Sequence, residues 1–178
     1  MPTTLQTELD QLNLLPANEA ERELLKCCGS KNWARQMVSA RPFAGMEQII
    51  ETANSIWCSL GANDWLEAFH SHPKIGEKKA AAKTAVEAQK WSTEEQSGVE
   101  ASAEDVLNAL AELNRAYEEK FGFIFIVCAT GKSSTEMLDL LRIRLENDRE
   151  KELRTAATEQ AKITELRIRK LLAPVRLA

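Results

Sequence analysis

The stretch FIFIVCA, residues 123–129, decides which fold the sequence predicts. It is a continuous run of aromatic and β-branched residues, the residue types of a buried strand. No other stretch of the chain has this character, and a lone strand would leave its backbone N–H and C=O groups without partners. We therefore expect residues 123–129 to form a short buried extended segment that is threaded among helices.

Helical patterns dominate the sequence on both sides of this segment. Upstream, Ser30 provides an N-cap, and apolar residues recur every three and four positions over residues 49–60. Downstream, Gly122 is a natural helix stop, and Ser133 or Ser134 is a natural N-cap. The sequence therefore predicts helices before and after residues 123–129.

Several finer boundaries follow from the same signals. Asn18 and Asn63 are predicted to cap two shorter helices, and Leu107 is predicted to face inward on a helix over residues 102–120. A final long helix is predicted over residues 149–172. The expected fold class is all-α: a single compact domain over residues 1–178, with roughly seven to nine helices. Residues 1–16 are expected to be a loosely packed N-terminal segment.

The composition is that of an ordinary globular protein. The 178 residues carry a net charge of −4, and the 23 basic and 27 acidic side chains are intermixed, so no concentrated basic surface for nucleic acid is predicted. No apolar run approaches the ~20 residues that span a bilayer, and the N-terminus lacks the apolar core of a signal peptide. We therefore expect no membrane partner and a cytoplasmic location. The four cysteines lack CxxC spacing and are interpreted as reduced packing residues.

Both histidines of the chain lie in the motif HSHP, as His70 and His72. An HxH pair can bind zinc, but a catalytic zinc site needs three protein ligands, and the sequence offers no third histidine. His72 is also a candidate general acid or base, since it precedes a proline at the predicted end of a helix. The third interpretation is an exposed histidine near a helix end, and the residues alone leave all three open.

Other candidate functional residues also have structural explanations. Ser92 and Glu95 have the spacing of a capping box, in which the serine oxygen and the glutamate bind the first turn of a helix. Arg167 lies within a predicted helix and has the sequence context of an exposed arginine. The alanine-rich residues 78–90 fit a weakly packed helix, and a helical interaction module with this segment as its binding face is one alternative function.

An ordered set of short motifs nevertheless resembles one known family, the 2-oxo-4-hydroxy-4-carboxy-5-ureidoimidazoline (OHCU) decarboxylases of urate breakdown. The matching blocks extend from about residue 25 to 172 in the right order. They are CGS (28–30), WA (33–34), RPF (41–43), DWLEAF (64–69), HPKIG (72–76), STEEQSG (92–98), LN (113–114), Tyr117, KFGFIF (120–125), CATG (128–131) and ITELRI (163–168).

The resemblance implies an all-α, cofactor-independent enzyme that binds no metal, is a homodimer, and decarboxylates OHCU to (S)-allantoin. It implies a catalytic role for His72, with Glu95 as its partner. The residues implied to bind the substrate are Pro73, Ser92, Ile126, Val127 and Arg167, with the backbone of Ile126 or Val127 lining the pocket. The competing enzyme class is a metal-dependent cyclic-amide hydrolase that uses His70 and His72.

Overall fold

The computed structural model describes the backbone of residues 4–72 and 100–173, and the side chains of residues 8–72 and 104–173. Within these residues the chain forms eight α-helices and no strand. They are α1 (Thr4–Leu14), α2 (Ala17–Cys27), α3 (Lys31–Ser39), α4 (Met46–Ser59), α5 (Ala62–His70), α6 (Glu100–Phe121), α7 (Ser134–Leu145) and α8 (Arg149–Leu171). The predicted all-α class is confirmed. None of the described helices has the length and apolar character needed to cross a membrane.

Most predicted helix boundaries are confirmed by the capping interactions. Ser30 precedes α3, and its side chain accepts a hydrogen bond from the Trp33 N–H at 3.2 Å. Ser133 caps α7 in a complete capping box with Glu136. Gly122 follows α6 with a φ of +78°, a conformation that favours glycine at a helix end.

The structure corrects three of the finer predictions. Asn18 and Asn63 are not N-caps, because each lies inside its helix. The N-cap of α2 is Pro16 and that of α5 is Gly61. Leu107 does not face inward, since 53% of it is exposed on α6. Apolar periodicity alone gives the face of a helix only approximately, and short helices give few repeats by which to define their first residue.

The N-terminal segment contains α1, a helix that the sequence analysis did not identify. Leu9 and Leu12 of α1 are buried. The end of α1 is bound by the Arg41 guanidinium, which donates hydrogen bonds to the carbonyls of Leu12 at 2.7 Å and Leu15 at 2.8 Å. A cation at this end of a helix satisfies carbonyls that lack intrahelical partners.

The chain divides into two compact units. The first unit comprises residues 1–71 and 157–178, and the second comprises residues 72–156. In the first unit α3 packs against α2, α4 and α5, and its core contains Leu24, Trp33 and Phe69. The single-domain organisation over residues 1–178 stays a prediction.

The second unit packs α6 against α7 around an aromatic cluster. The Tyr117 ring lies 4.7 Å from the Phe121 ring and 5.3 Å from the Phe125 ring, measured between centroids. Residues 123–129 pass through this unit without helix or strand pairing, and Phe123, Phe125 and Ile126 are buried. The predicted buried extended segment is therefore confirmed.

Candidate functional site

His72 lies directly beyond the C-terminal end of α5. Ser71 closes the helix: its backbone N–H donates to the Ala68 carbonyl at 3.1 Å, and its hydroxyl donates to the same oxygen at 2.6 Å. His72 follows as a partly exposed residue with non-helical backbone. A histidine placed at the end of a packed helix has a fixed backbone and an imidazole within reach of a ligand.

His70 has the local role expected of a helix-end residue. It is the last residue of α5 and is exposed, and its Nδ1 lies 2.6 Å from the Leu66 carbonyl one turn earlier. A carbonyl oxygen only accepts, so this nitrogen is the donor. Among the side chains of residues 8–72 and 104–173 there is no group of three or more histidine, cysteine, aspartate or glutamate residues able to hold a metal ion.

The carbonyl of Ile126 is bound by a buried arginine. Arg144 of α7 donates from Nη1 to the Ile126 oxygen at 2.6 Å, and its guanidinium lies 4.6 Å from the centroid of the Phe125 ring. Only 6% of Arg144 is exposed. This contact fixes the orientation of the peptide group between Ile126 and Val127.

A fully buried carboxylate balances this arginine. Glu152 of α8 accepts from the Arg144 Nε at 2.7 Å and from the Asn147 amide at 2.7 Å. The Tyr117 hydroxyl donates to the same carboxylate. Burial, followed by this hydrogen bond, raises the pKa of Tyr117 well above its ordinary value. We call these four side chains, Arg144, Glu152, Asn147 and Tyr117, the arginine network.

The Val127 N–H lies on the opposite side of the same peptide group. The Ile126–Val127 peptide is trans, so the Val127 N–H points away from the carbonyl that Arg144 binds. Among the described residues, no group accepts a hydrogen bond from this N–H. Val127 is 8% exposed, and a buried N–H with no acceptor among the described residues is suited to bind a ligand oxygen.

Arg167 lies in the first unit beside the C-terminal end of α2. Its Nη1 donates to the Lys26 carbonyl at 3.5 Å. The pKa of Cys27 is raised to about 12 and that of Cys28 to about 11, in both cases chiefly by burial, while the Arg167 charge acts in the opposite direction. These two thiols are therefore poor nucleophiles near neutral pH.

The interpretation of all four cysteines as packing residues is wrong for one of them. Cys27, Cys28 and Cys128 are buried, as expected of packing residues, but Cys58 is exposed on α4. Its neighbour Trp57 takes the buried position of that helical turn and donates from its indole nitrogen to the Ala157 carbonyl at 2.9 Å.

The predicted site residues are only partly within the described structure. His72, Ile126 and Val127 belong to the second unit, and Arg167 belongs to the first. Three further predicted residues, Pro73, Ser92 and Glu95, lie outside the described residues. The alanine-rich segment 78–90 also lies outside them. The joint arrangement of the seven residues stays a prediction.

The arginine network was missed by the sequence analysis, although one signal pointed to it. Met137 and Leu141 lie on the buried face of α7, and Arg144 continues that face three residues further on. An arginine at an apolar position implies a buried partner, because an unpaired charge is costly to bury. The identity of the partner, Glu152 on the next helix, has no comparable signal in the sequence.

Comparison with known proteins agrees with the fold and the motifs. The sequence profile of the family described as OHCU decarboxylase matches residues 13–169. The chain is 42% identical over 154 residues to the uric acid degradation bifunctional protein TTL of Arabidopsis thaliana, covering 86% of this chain and 47% of that protein. The chain thus spans about half the length of this relative.

Two further relatives are matched over most of their own length. The OHCU decarboxylase of Mus musculus is 30% identical over 134 residues, which are 75% of each chain. A crystal structure of an OHCU decarboxylase in the presence of (S)-allantoin superimposes with a TM-score of 0.69 at 42% identity, covering 84% of this chain and 96% of that one. This chain belongs to the OHCU decarboxylase family.

Proposed function

We propose that this protein decarboxylates OHCU to (S)-allantoin in the breakdown of urate, without a metal or organic cofactor. The observation that carries the proposal is the 42% identity to a solved OHCU decarboxylase, 96% of whose length the chain covers and whose crystals were studied with (S)-allantoin. The resemblance of the HPKIG and ITELRI motifs, which contain His72 and Arg167, supports the same activity.

The substrate itself supplies the electron sink for this reaction. When the bond between C4 and its carboxylate breaks, CO2 leaves and the electron pair forms a C4=C5 bond. The electrons of the adjacent C5=N imine move onto nitrogen, which takes up a proton. The C4 hydroxyl then loses its proton to become a carbonyl, while C5 gains one. The enzyme therefore has to orient the carboxylate and control the proton transfers at the nitrogen, the C4 hydroxyl and C5, which needs no pyridoxal or thiamine chemistry.

His72 is the residue best suited to the proton transfers. Its ordinary pKa lies near neutrality, and an imidazole can remove the C4 hydroxyl proton and deliver a proton to C5. Delivery to one face of C5 gives the (S) product. Glu95 is assigned to hold the hydroxyl or ureido N–H groups of the substrate and to set the protonation state of His72.

The remaining groups are assigned to substrate binding. The Val127 N–H, which has no acceptor among the described residues, donates to a substrate oxygen. Arg167 binds anionic or carbonyl oxygens through its guanidinium, the geometry that suits a carboxylate. Ser92 adds a hydrogen bond, and Pro73 lines the pocket.

A direct assay tests the activity. OHCU is generated from urate by the two preceding enzymes, and the formation of (S)-allantoin is followed by circular dichroism. We expect the wild-type protein to accelerate the (S) signal, and His72→Asn to reduce that acceleration by about 10²–10⁴-fold while the helical spectrum persists. His70→Asn is the matched control and should stay active. A wild-type protein without acceleration would refute the proposed function, whereas an active His72→Asn would refute only the role of His72.

A second variant addresses the two interpretations of Glu95. Glutamine serves as well as glutamate at the third position of a capping box, so Glu95→Gln keeps the cap and removes the charge. We expect lost decarboxylation with an unchanged unfolding midpoint. Retained activity would show that Glu95 serves only as a capping residue.

Assembly and location complete the proposal. A homodimer is expected, and light scattering after gel filtration should give twice the chain mass of 19.9 kDa. The proposed location is the cytoplasm, which fractionation of the source cells would test.

A further inference from the structure

We propose that Gly29 is a positioning residue for His72, acting through the close approach of its backbone to Ser71. The loop between α2 and α3 passes against the last turn of α5, and Ser71 is bonded directly to His72. This inference rests on the proposed role of His72, and it assigns to Gly29 no contact with substrate.

The distance between Gly29 and Ser71 leaves no room for a side chain. A Cβ atom built on Gly29 would lie 2.4 Å from the Ser71 Cβ and 2.2 Å from its Oγ. The φ of Gly29 is not positive, so a strained backbone conformation does not explain the glycine. Rotation of the Ser71 side chain cannot relieve the overlap, because the Cβ position is fixed by the backbone.

The loop on one side of this contact is held rigidly. Cys28 and Ser30, the two neighbours of Gly29, are both fully buried. The Ser30 hydroxyl also caps α3. By contrast, Ser71 is exposed at the end of its helix. A methyl group on Gly29 would therefore displace Ser71 rather than the loop.

A second contact ties the same two segments together one turn earlier. The Lys31 N–H, at the start of α3, donates to the Glu67 carboxylate at 3.0 Å. Glu67 and Ser71 are four residues apart and thus share one face of α5. The two contacts together set both the position and the direction of the helix end that leads into His72.

The expected displacement is large enough to matter for catalysis. Carbon atoms pack at about 3.5–4.0 Å, so a Cβ–Cβ distance of 2.4 Å has to grow by roughly 1 Å. A misplacement of this size can reduce a rate about 10²-fold. Because His72 moves protons and the other groups hold the substrate, the loss should fall on kcat and leave KM nearly unchanged.

A double-mutant cycle tests the contact. We expect Gly29→Ala to lower kcat about 10²-fold, and Ser71→Gly, which removes both clashing atoms, to cost at most about 3-fold. The double variant G29A/S71G should match S71G alone. Gly61→Ala is the control, because Gly61 precedes α5 at its other end and a Cβ there meets nothing within 4 Å.

A spectroscopic measurement separates this proposal from the proposed function. The chain has only two histidines, so the imidazole NMR signals of His72 are assigned by comparison with His70→Asn. G29A should shift the His72 signals, and G29A/S71G should return them to those of S71G. This holds whether or not OHCU is the substrate, so an inactive wild-type protein would refute only the proposed function.

Two results would overturn the positioning role. One is a folded G29A with wild-type kcat and unshifted His72 signals. The other is a double variant that folds but keeps the defect of G29A. If G29A alone does not fold, recovery of folding and activity in G29A/S71G supports the contact, because only the clash is removed.

Discussion

The two units fix their functional backbone groups by different means. In the second unit, the Ile126 carbonyl is held by Arg144, whose charge is balanced by buried Glu152. In the first unit, Ser71 is held by contact with Gly29, without charge. An extended segment has no ladder to satisfy its backbone, so it needs polar side chains. At the end of α5, by contrast, the Ser71 N–H and hydroxyl donate to the Ala68 carbonyl of the same helix, and the contact with Gly29 adds steric fit.

The largest expected effect tests the charged side of this comparison. Arg144→Met should lower the free energy of unfolding by about 3–5 kcal/mol, because it leaves Glu152 buried without its cation. The measurement is urea denaturation followed by circular dichroism. Decarboxylation should also fall, since the Ile126 carbonyl loses the group that orients it.

Arg142→Met is the matched control for this variant. Arg142 lies two residues away on α7 and pairs with Asp139 in solvent at 3.3 Å. Its replacement should change the free energy of unfolding by less than about 1 kcal/mol. Equal effects of the two variants would show that the arginine network does not hold the second unit together.

The next effect tests the apolar side of the comparison. Leu24→Ala, on α2 in the first unit, should cost about 3 kcal/mol of unfolding free energy by opening a cavity in a fully buried position. Leu14→Ala is the control, because 84% of Leu14 is exposed, and it should change stability by less than about 0.5 kcal/mol. Added salt should leave the cost of Leu24→Ala unchanged, and a strong salt dependence would contradict an apolar origin.

The same contrast explains what the sequence could and could not predict. Helices α2 to α8, the Ser30 cap and the buried segment at 123–129 follow from local periodicity, capping and residue type, and the structure confirms them. The Gly29 contact and the Arg144–Glu152 pair join residues that are distant in sequence or on separate helices, and no local pattern encodes such a distance. The comparisons confirm the family, whereas the catalytic role of His72 that the resemblance implies stays a prediction.

A third prediction concerns pH and the single tyrosine of the chain. The pKa of Tyr117 is raised in the folded protein, so its stabilising contribution is complete below the ordinary pKa of about 10 and is lost as pH rises above it toward the folded value. Unfolding free energy should therefore fall more steeply above pH ~10 in the wild type than in Tyr117→Phe.

The absorbance of tyrosinate reports this residue alone, because Tyr117 is the only tyrosine. As pH is raised, the tyrosinate absorbance should increase together with unfolding and not at a lower pH. Below that pH, Tyr117→Phe should cost about 1–3 kcal/mol, since Glu152 loses a buried hydrogen-bond donor. Ionisation of Tyr117 in a still-folded protein would contradict its place in the arginine network.

The smallest expected effect tests whether an exposed charged side chain contributes to the stability of the second unit. Ser133→Ala should lower the free energy of unfolding by about 1 kcal/mol by removing the α7 cap, whereas Ser134→Ala, one residue later, should be nearly neutral.

The same cap predicts a pH dependence. The backbone and side-chain hydrogen bonds with Ser133 lower the pKa of Glu136, so the contribution of Glu136 to stability is present above the ordinary carboxyl pKa and is lost as pH falls through the lowered value. Glu136→Gln should keep the cap and remove that pH dependence. If the acid dependence of unfolding is the same in Glu136→Gln and wild type, charge acts in the second unit only where it is buried.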